Sequence, residues 1–177
     1  HEKDKENYRG RPHDFYAFDE VCQFTEGQYR FIIAWCRSAR PGQRCRVVAT
    51  GNPPTTAEGR WVVAHWAPWL ARKHPNPART GELRWFVRVQ DKDGDHDMEV
   101  PNSDPFEWKG PRGTEILKPK SRTFIPALLK DNPILDATNY RAQLQALPEP
   151  LRSQMLYGDF TVGLQDDEWQ CIPTSWI

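Results

Sequence analysis

The chain is 177 residues long and carries 24 basic and 24 acidic side chains. That length can bury one good core, and the charge balance excludes a global field drawing the protein to nucleic acid or membrane. No apolar run approaches the roughly 18 residues of a membrane span and the polar opening HEKDKENYRG is not a signal peptide, so the expected setting is cytoplasmic, with no membrane partner.

The 16 prolines and 8 tryptophans, with a mean hydropathy of -0.79, describe a polar chain with long, proline-punctuated connections and large aromatic anchors. Cys22, Cys36, Cys45 and Cys171 show neither CxxC spacing nor a partnering histidine pair, which argues for reduced thiols and against zinc.

Residues 1–13 are charged and end in Arg9, Gly10, Arg11 and Pro12, which predicts an irregular opening. Residues 15–18, FYAF, are a continuous apolar run, as in a parallel strand covered on both faces. In TEGQ, Thr25 can cap a helix while Gln28 reaches back to close a capping box. Tyr29, Ile32, Ile33 and Cys36 then fall on one helix face, and Pro41 and Gly42 stop the helix. CRVVAT, residues 45–50, reads as a second strand, ended by Gly51, Asn52, Pro53 and Pro54. Strand, helix and strand with short joints form a βαβ unit, which makes the two strands parallel.

A second capping box, Thr55 to Glu58, predicts a helix through about residue 66 that Pro68 stops. LRWFVRVQ, residues 83–90, alternates with Leu83, Trp85, Val87 and Val89 on one face, and residues 98–100 are its expected partner. DKDGDHD between them lacks calcium-loop spacing, since a calcium loop wants glycine at its sixth position and a bidentate glutamate at its twelfth. Here Gly94 is fourth and Asn102 twelfth, so Asp93 and Gly94 read as a hairpin turn. Residues 101–120 show no period, but Lys118, Lys120 and Arg122 make a local basic stretch near Trp108 that can meet phosphates. A short strand at 122–125 follows. A helix opens at Asp131, Asn132 and Pro133, with Tyr140, Leu144 and Leu147 on its apolar face, and the proline pair around Glu149 breaks it. A second helix at about 151–157 meets Gly158. Residues 164–177 read as a linker.

Asp19 and Glu20 end the first strand. Nucleotide hydrolysis on a parallel sheet needs an acid at a strand end for magnesium and a second group to orient the attacking water. Adjacent acids at a strand end point in different directions and can divide those tasks. The second strand ends in Thr50, Gly51 and Asn52 at the same carboxyl edge, where ligands bind in open α/β sheets.

YRGRPHDFYAFDE (8–20), RCRVVATGNPPTTAEGRW (44–61) and residues 121–160, from SRTFIPALLKDNP to LYGDF, carry a resemblance to the large subunit of tailed-phage and prophage terminases. The resemblance implies the later half of an ATPase domain. Its fold would be α/β: a partial P-loop NTPase sheet of the ASCE type, a β-hairpin insertion and a small helical lid subdomain. The corresponding segments are 1–70 for the core, 71–121 for the insertion, 122–163 for the lid and 164–177 for a linker toward a nuclease domain. Asp19 would be the magnesium-side acid of a Walker B motif and Glu20 the catalytic acid, with Thr50, Gly51 and Asn52 as the motif coupling hydrolysis to movement. ATP and Mg2+ would be the cofactors. Double-stranded DNA, the portal protein, the small terminase subunit and further copies of the motor would be the partners, in the host cytoplasm at the procapsid portal.

No GxxxxGK(S/T) occurs in the sequence, so the phosphate-cradling loop that the family uses is missing, as is its C-terminal nuclease. The chain alone is therefore not expected to hydrolyse ATP. Two other readings compete. A helicase-like DNA-dependent ATPase also pairs an acidic strand end with a small polar motif, although Cys22 stands where that pattern wants Asp or His. A non-catalytic module would use tryptophans and the Lys118, Lys120 and Arg122 stretch to hold DNA or a capsid partner.

Overall fold

The computed structural model describes residues 2–162 apart from residue 93. It is a mixed α/β structure in two compact units, one built from His1–Ala64 with Ala127–Ile177 and the other from His65–Pro126. The expected linker at 164–177 lies outside the described residues.

The first unit is organised on β1 (Phe15–Phe18) and β2 (Arg46–Ala49), paired in parallel with Phe15 opposite Arg46 and Phe18 opposite Ala49. Helix α1 (Glu26–Ile33) joins them. Its start is fixed as the sequence predicts: Gln28 N–H donates to Thr25 Oγ1 at 3.1 Å and Thr25 N–H to Gln28 Oε1 at 3.0 Å. Tyr29 and Ile32 are its buried face. Phe18 lies against Phe24 and Tyr29 with ring centroids 5.3 and 5.0 Å apart, and Tyr29 against Trp61 at 4.8 Å. These aromatic contacts form the core beneath the strand end.

Several expectations are corrected here. Among the described residues the parallel sheet has two strands, and the wider P-loop sheet implied by the resemblance is not seen. With only two strands, β1 is covered on one face: Tyr16 and Phe18 are buried while Phe15 and Ala17 are exposed. An apolar run cannot by itself report whether its second face is covered. Helix α1 ends at Ile33 rather than near Pro41, because Cys36 leaves the helix to form a parallel bridge with His13. The opening segment is a 3-10 helix, Glu2–Tyr8, rather than irregular.

After the loop at 50–56 come a 3-10 turn (Ala57–Arg60) and α2 (Trp61–His65). The helix ends at His65, close to the expected residue 66, but Pro68 does not end helical structure altogether. It occupies the first turn of α3 (Ala67–Leu70), where its missing N–H costs nothing.

The second unit contains β3 (Arg84–Asp91), flanked by antiparallel β4 (Gly94–Val100) and β7 (Lys120–Arg122). Its hairpin closes with Asp91 opposite Gly94, whose φ of 100° is open to glycine. The partner of β3 is longer than the expected residues 98–100, and the strand expected at 122–125 lies at Lys120–Arg122. The aperiodic stretch from 101 contains a second hairpin, β5 (Phe106–Gly110) with β6 (Gly113–Leu117). Its strands are short, and only β5 alternates, so no period stands out over the stretch. Trp85, Val87 and Val89 share a face with Met98 and Val100, whereas Leu83 is exposed ahead of the strand. On the opposite face Asp97 draws in Arg122 at 2.7 Å, His65 Nδ1 at 3.3 Å and Arg88 at 3.4 Å. Arg122 also donates to the His65 carbonyl at 3.0 Å, and Trp66 Nε1 donates to the Thr123 carbonyl at 3.1 Å.

The remaining helices belong to the first unit: α4 (Pro133–Asp136), α5 (Tyr140–Gln145) and α6 (Leu151–Tyr157). Asn132 caps α4 by accepting from Leu135 N–H at 3.1 Å. Gly158 ends α6 in the left-handed region at φ 62°, as the sequence predicts. A Cβ at Gly158 would stand 2.9 Å from Leu128, so the glycine also allows close packing.

Candidate functional site

The carboxyl ends of β1 and β2 meet as the βαβ reading predicts. The ladder runs one step past the strands, with Thr50 N–H donating to the Phe18 carbonyl at 2.8 Å. The chain after β1 then turns back, and Val21 N–H donates to the Thr50 carbonyl at 2.8 Å. Between these two bonds sit Asp19 and Glu20. The Thr50 hydroxyl donates to Asp19 Oδ1 at 2.9 Å and lies 3.3 Å from the Phe18 carbonyl. Asp19 is thereby oriented by a residue 31 positions away.

Glu20 has φ 50° and ψ 54°, and it is the one non-glycine residue with positive φ among the described residues. That conformation costs an ordinary side chain roughly 1–2 kcal/mol. It persists because flanking contacts hold it: Phe18 is anchored in the aromatic core, and Val21 is buried and hydrogen-bonded to Thr50. The result is a sharp reversal of the chain at the strand end.

Gly51 lies flush against this reversal. A Cβ there would come within 3.1 Å of Val21 N and 3.4 Å of Glu20 Cα, a tight fit in which the turn would have to give by a few tenths of an ångström. Asn52 is exposed, and its carbonyl accepts from Cys22 Sγ at 3.0 Å. Burial first, and the Glu20 carboxylate second, push the Cys22 thiol up to about 11. It therefore stays protonated, as its donor role requires.

The sequence reading missed two members of this assembly. Gly59 faces Cys22 so closely that a Cβ would stand 2.4 Å from the Cys22 carbonyl. Its only signal was a glycine inside a presumed helix. Gln154 on α6 is 2 % exposed and donates through Nε2 to the Pro54 carbonyl at 3.0 Å and the Val162 carbonyl at 3.2 Å. A glutamine 100 positions from its partner leaves no local pattern to read.

The edge is open. Two shallow depressions, of about 360 Å³ beside Tyr8 and His13 and about 300 Å³ beside Arg88 and Arg112, include none of Asp19, Glu20 or Thr50. In the second unit Lys118 and Lys120 are exposed. Arg122 is not similarly available: it is held by Asp97 and lies 4.4 Å over the Phe86 ring.

Among the described residues no helix is long and apolar enough to cross a membrane. No known family, curated protein or solved structure matches the chain, and the geometry of the strand-end site stands on its own.

Proposed function

We propose that the chain supplies the magnesium-side and water-orienting acids of an ATP-hydrolysing motor of the tailed-phage terminase kind. The reading rests above all on one observation: Asp19 is oriented by the Thr50 hydroxyl at the shared carboxyl edge of two parallel strands joined through a helix. The strained Glu20 beside it supports the same reading, because such backbone outliers concentrate where geometry matters to function.

Magnesium suits this donor set. It binds through one or two carboxylates and substrate phosphates while keeping several waters. Asp19 offers one carboxylate next to a hydroxyl. When bound, the ion would neutralise charge developing on the phosphates. Asp19 would hold its water shell, and Glu20 would accept a hydrogen bond from the attacking water and align it with the γ-phosphorus. Thr50, Gly51 and Asn52 would register the presence of that phosphate, and the phosphate cradle itself would come from residues beyond this sequence.

The test is ATP hydrolysis by the chain joined to a P-loop segment encoded immediately ahead of residue 1. DNA-stimulated turnover, abolished by Glu20→Gln with nucleotide binding retained, is the expected result. Undiminished turnover in Glu20→Gln, or no P-loop in that position, overturns the reading. The exposure of Lys118 and Lys120 favours a second reading, a DNA-holding surface on the hairpin unit. Replacing both lysines with alanine should then weaken DNA binding and lower its salt slope by about 2, and an unchanged slope counts against it.

A further inference from the structure

We infer that Gln154 is a positioning residue for the Asp19–Thr50 edge, acting from α6 through the two prolines of the loop at 50–54. As a statement about catalysis it rests on the hydrolytic reading above. As a statement about mechanics it does not.

Gln154 is one of two polar or charged side chains among the buried described residues, and its amide is anchored at both ends of a short path. On one side it holds the Val162 carbonyl, which fixes the carboxamide relative to the chain leaving α6. On the other it holds the Pro54 carbonyl. Pro53 and Pro54 are both buried, and their rings fix φ at each position. Pro53 also restricts the residue before it, Asn52, to extended backbone. A displacement at the Pro54 carbonyl therefore has little torsional freedom in which to be absorbed before it reaches Asn52.

From Asn52 the loop is stitched to the acid-bearing turn at three points: Cys22 Sγ to the Asn52 carbonyl, Gly51 against Val21 N, and Val21 N–H to the Thr50 carbonyl. Gly59 closes the assembly from below, close to both Cys22 and Pro54. Loss of the Gln154 donors leaves the Pro54 carbonyl buried without that partner, and the loop gains freedom to leave the strand end. Thr50 then orients Asp19 for a smaller fraction of the time.

The experiment is residue-resolved amide hydrogen exchange on the full chain, comparing the natural protein with Gln154→Leu and Pro54→Ala. In Gln154→Leu the Val21 and Thr50 amides should lose protection roughly tenfold, the equilibrium equivalent of one buried hydrogen bond. Pro54→Ala keeps the accepting carbonyl but removes the stiff joint. It should expose Val21 in the same way while the amides of α6 stay protected, and it serves if Gln154→Leu fails to fold. Unchanged exchange at Val21 in Pro54→Ala, or protection lost only along α6 in Gln154→Leu, overturns the inference.

A second arm separates this outcome from the fate of the hydrolytic reading. In the P-loop-joined chain, Gln154→Leu should lower kcat several-fold while leaving KM for ATP little changed. If the exchange result holds and the natural chain shows no hydrolysis in that form, the mechanical link stands and the nucleotide reading falls. If hydrolysis is present and neither kcat nor Val21 exchange moves, the link falls and the nucleotide reading stands.

Discussion

Glu20 offers a test that separates the strain of its backbone from the chemistry of its carboxylate. Its left-handed conformation, φ 50° and ψ 54°, penalises every residue with a Cβ. Glu20→Ala removes the carboxylate and keeps the penalty, whereas Glu20→Gly removes both. The relief is roughly 1–2 kcal/mol, and the extra freedom of glycine in the unfolded chain takes back about 0.5–1 kcal/mol. Glu20→Gly should therefore be more stable than Glu20→Ala by about 0.5–1 kcal/mol, a rise in Tm of some 1–4 °C for a chain of this size. Urea unfolding of the two variants side by side isolates the backbone, because both lack the same side-chain atoms. Neither variant should support turnover in the P-loop-joined chain. A glycine variant less stable than the alanine variant would show that the turn is not strained, and the inference from backbone outlier to functional site would lose its footing.

The Asp97 cluster predicts a large effect away from the site. Asp97 and Arg122 are 13 % and 16 % exposed and 2.7 Å apart, so Asp97→Asn removes a negative charge in contact with a nearly buried guanidinium. Because Arg122 keeps the His65 carbonyl and the Phe86 ring, the expected loss is near the low end for broken buried pairs, about 3 kcal/mol by denaturant unfolding. A loss below about 1 kcal/mol would mean that the cluster is effectively solvated. Cys22 supplies a pH-dependent prediction. With its thiol pushed up to about 11, the folded state favours the protonated form. Its contribution to stability is present below the ordinary thiol value of 9.0 and fades as pH rises through about 11. Alkylation of Cys22 at neutral pH should be roughly a hundredfold slower than for an unperturbed thiol, measured by mass spectrometry of the labelled peptide. Labelling at the rate of an unperturbed thiol refutes the assignment.

Legibility in the sequence followed the range of the interactions. The boundaries of β1, the capping box of α1, the parallel joint to β2 and the glycine end of α6 were all written locally, in apolar runs and capping residues. The meeting of Asp19 with Thr50 followed from them, since parallel strands joined by one helix must end together. The covering of β1 was not legible, because FYAF reads the same whether one face or both are packed. Residues 101–120 hid a hairpin because only FEWK, residues 106–109, alternates, over too few residues to stand out, while its partner GTEIL places Glu115 on the face of Leu117 and leaves Ile116 exposed. Arg122 looked like a basic side chain awaiting phosphate, and only the fold brings Asp97 to it. Gln154 was invisible for the same reason, its partner being fixed by tertiary packing alone.

The two bonds that tie His65 and Trp66 to Arg122 and Thr123 have a consequence for the order in which the chain folds. The hairpin unit is contiguous in sequence, whereas the unit bearing Asp19 and Gln154 is assembled from segments on either side of it. Once the hairpins form, the points where the chain enters and leaves them are pinned together. The later segment then searches for its partners as though the intervening residues were a short connection. Each halving of an effective loop removes about 0.6 kcal/mol of closure entropy, so shortening it to a few residues is worth about 2 kcal/mol. The Asp97 cluster, as a clasp of this kind, would help the later segment only if it forms before that segment docks. Breaking it should then slow formation of the strand-end site as well as destabilise the hairpins, although no residue of the cluster belongs to that site.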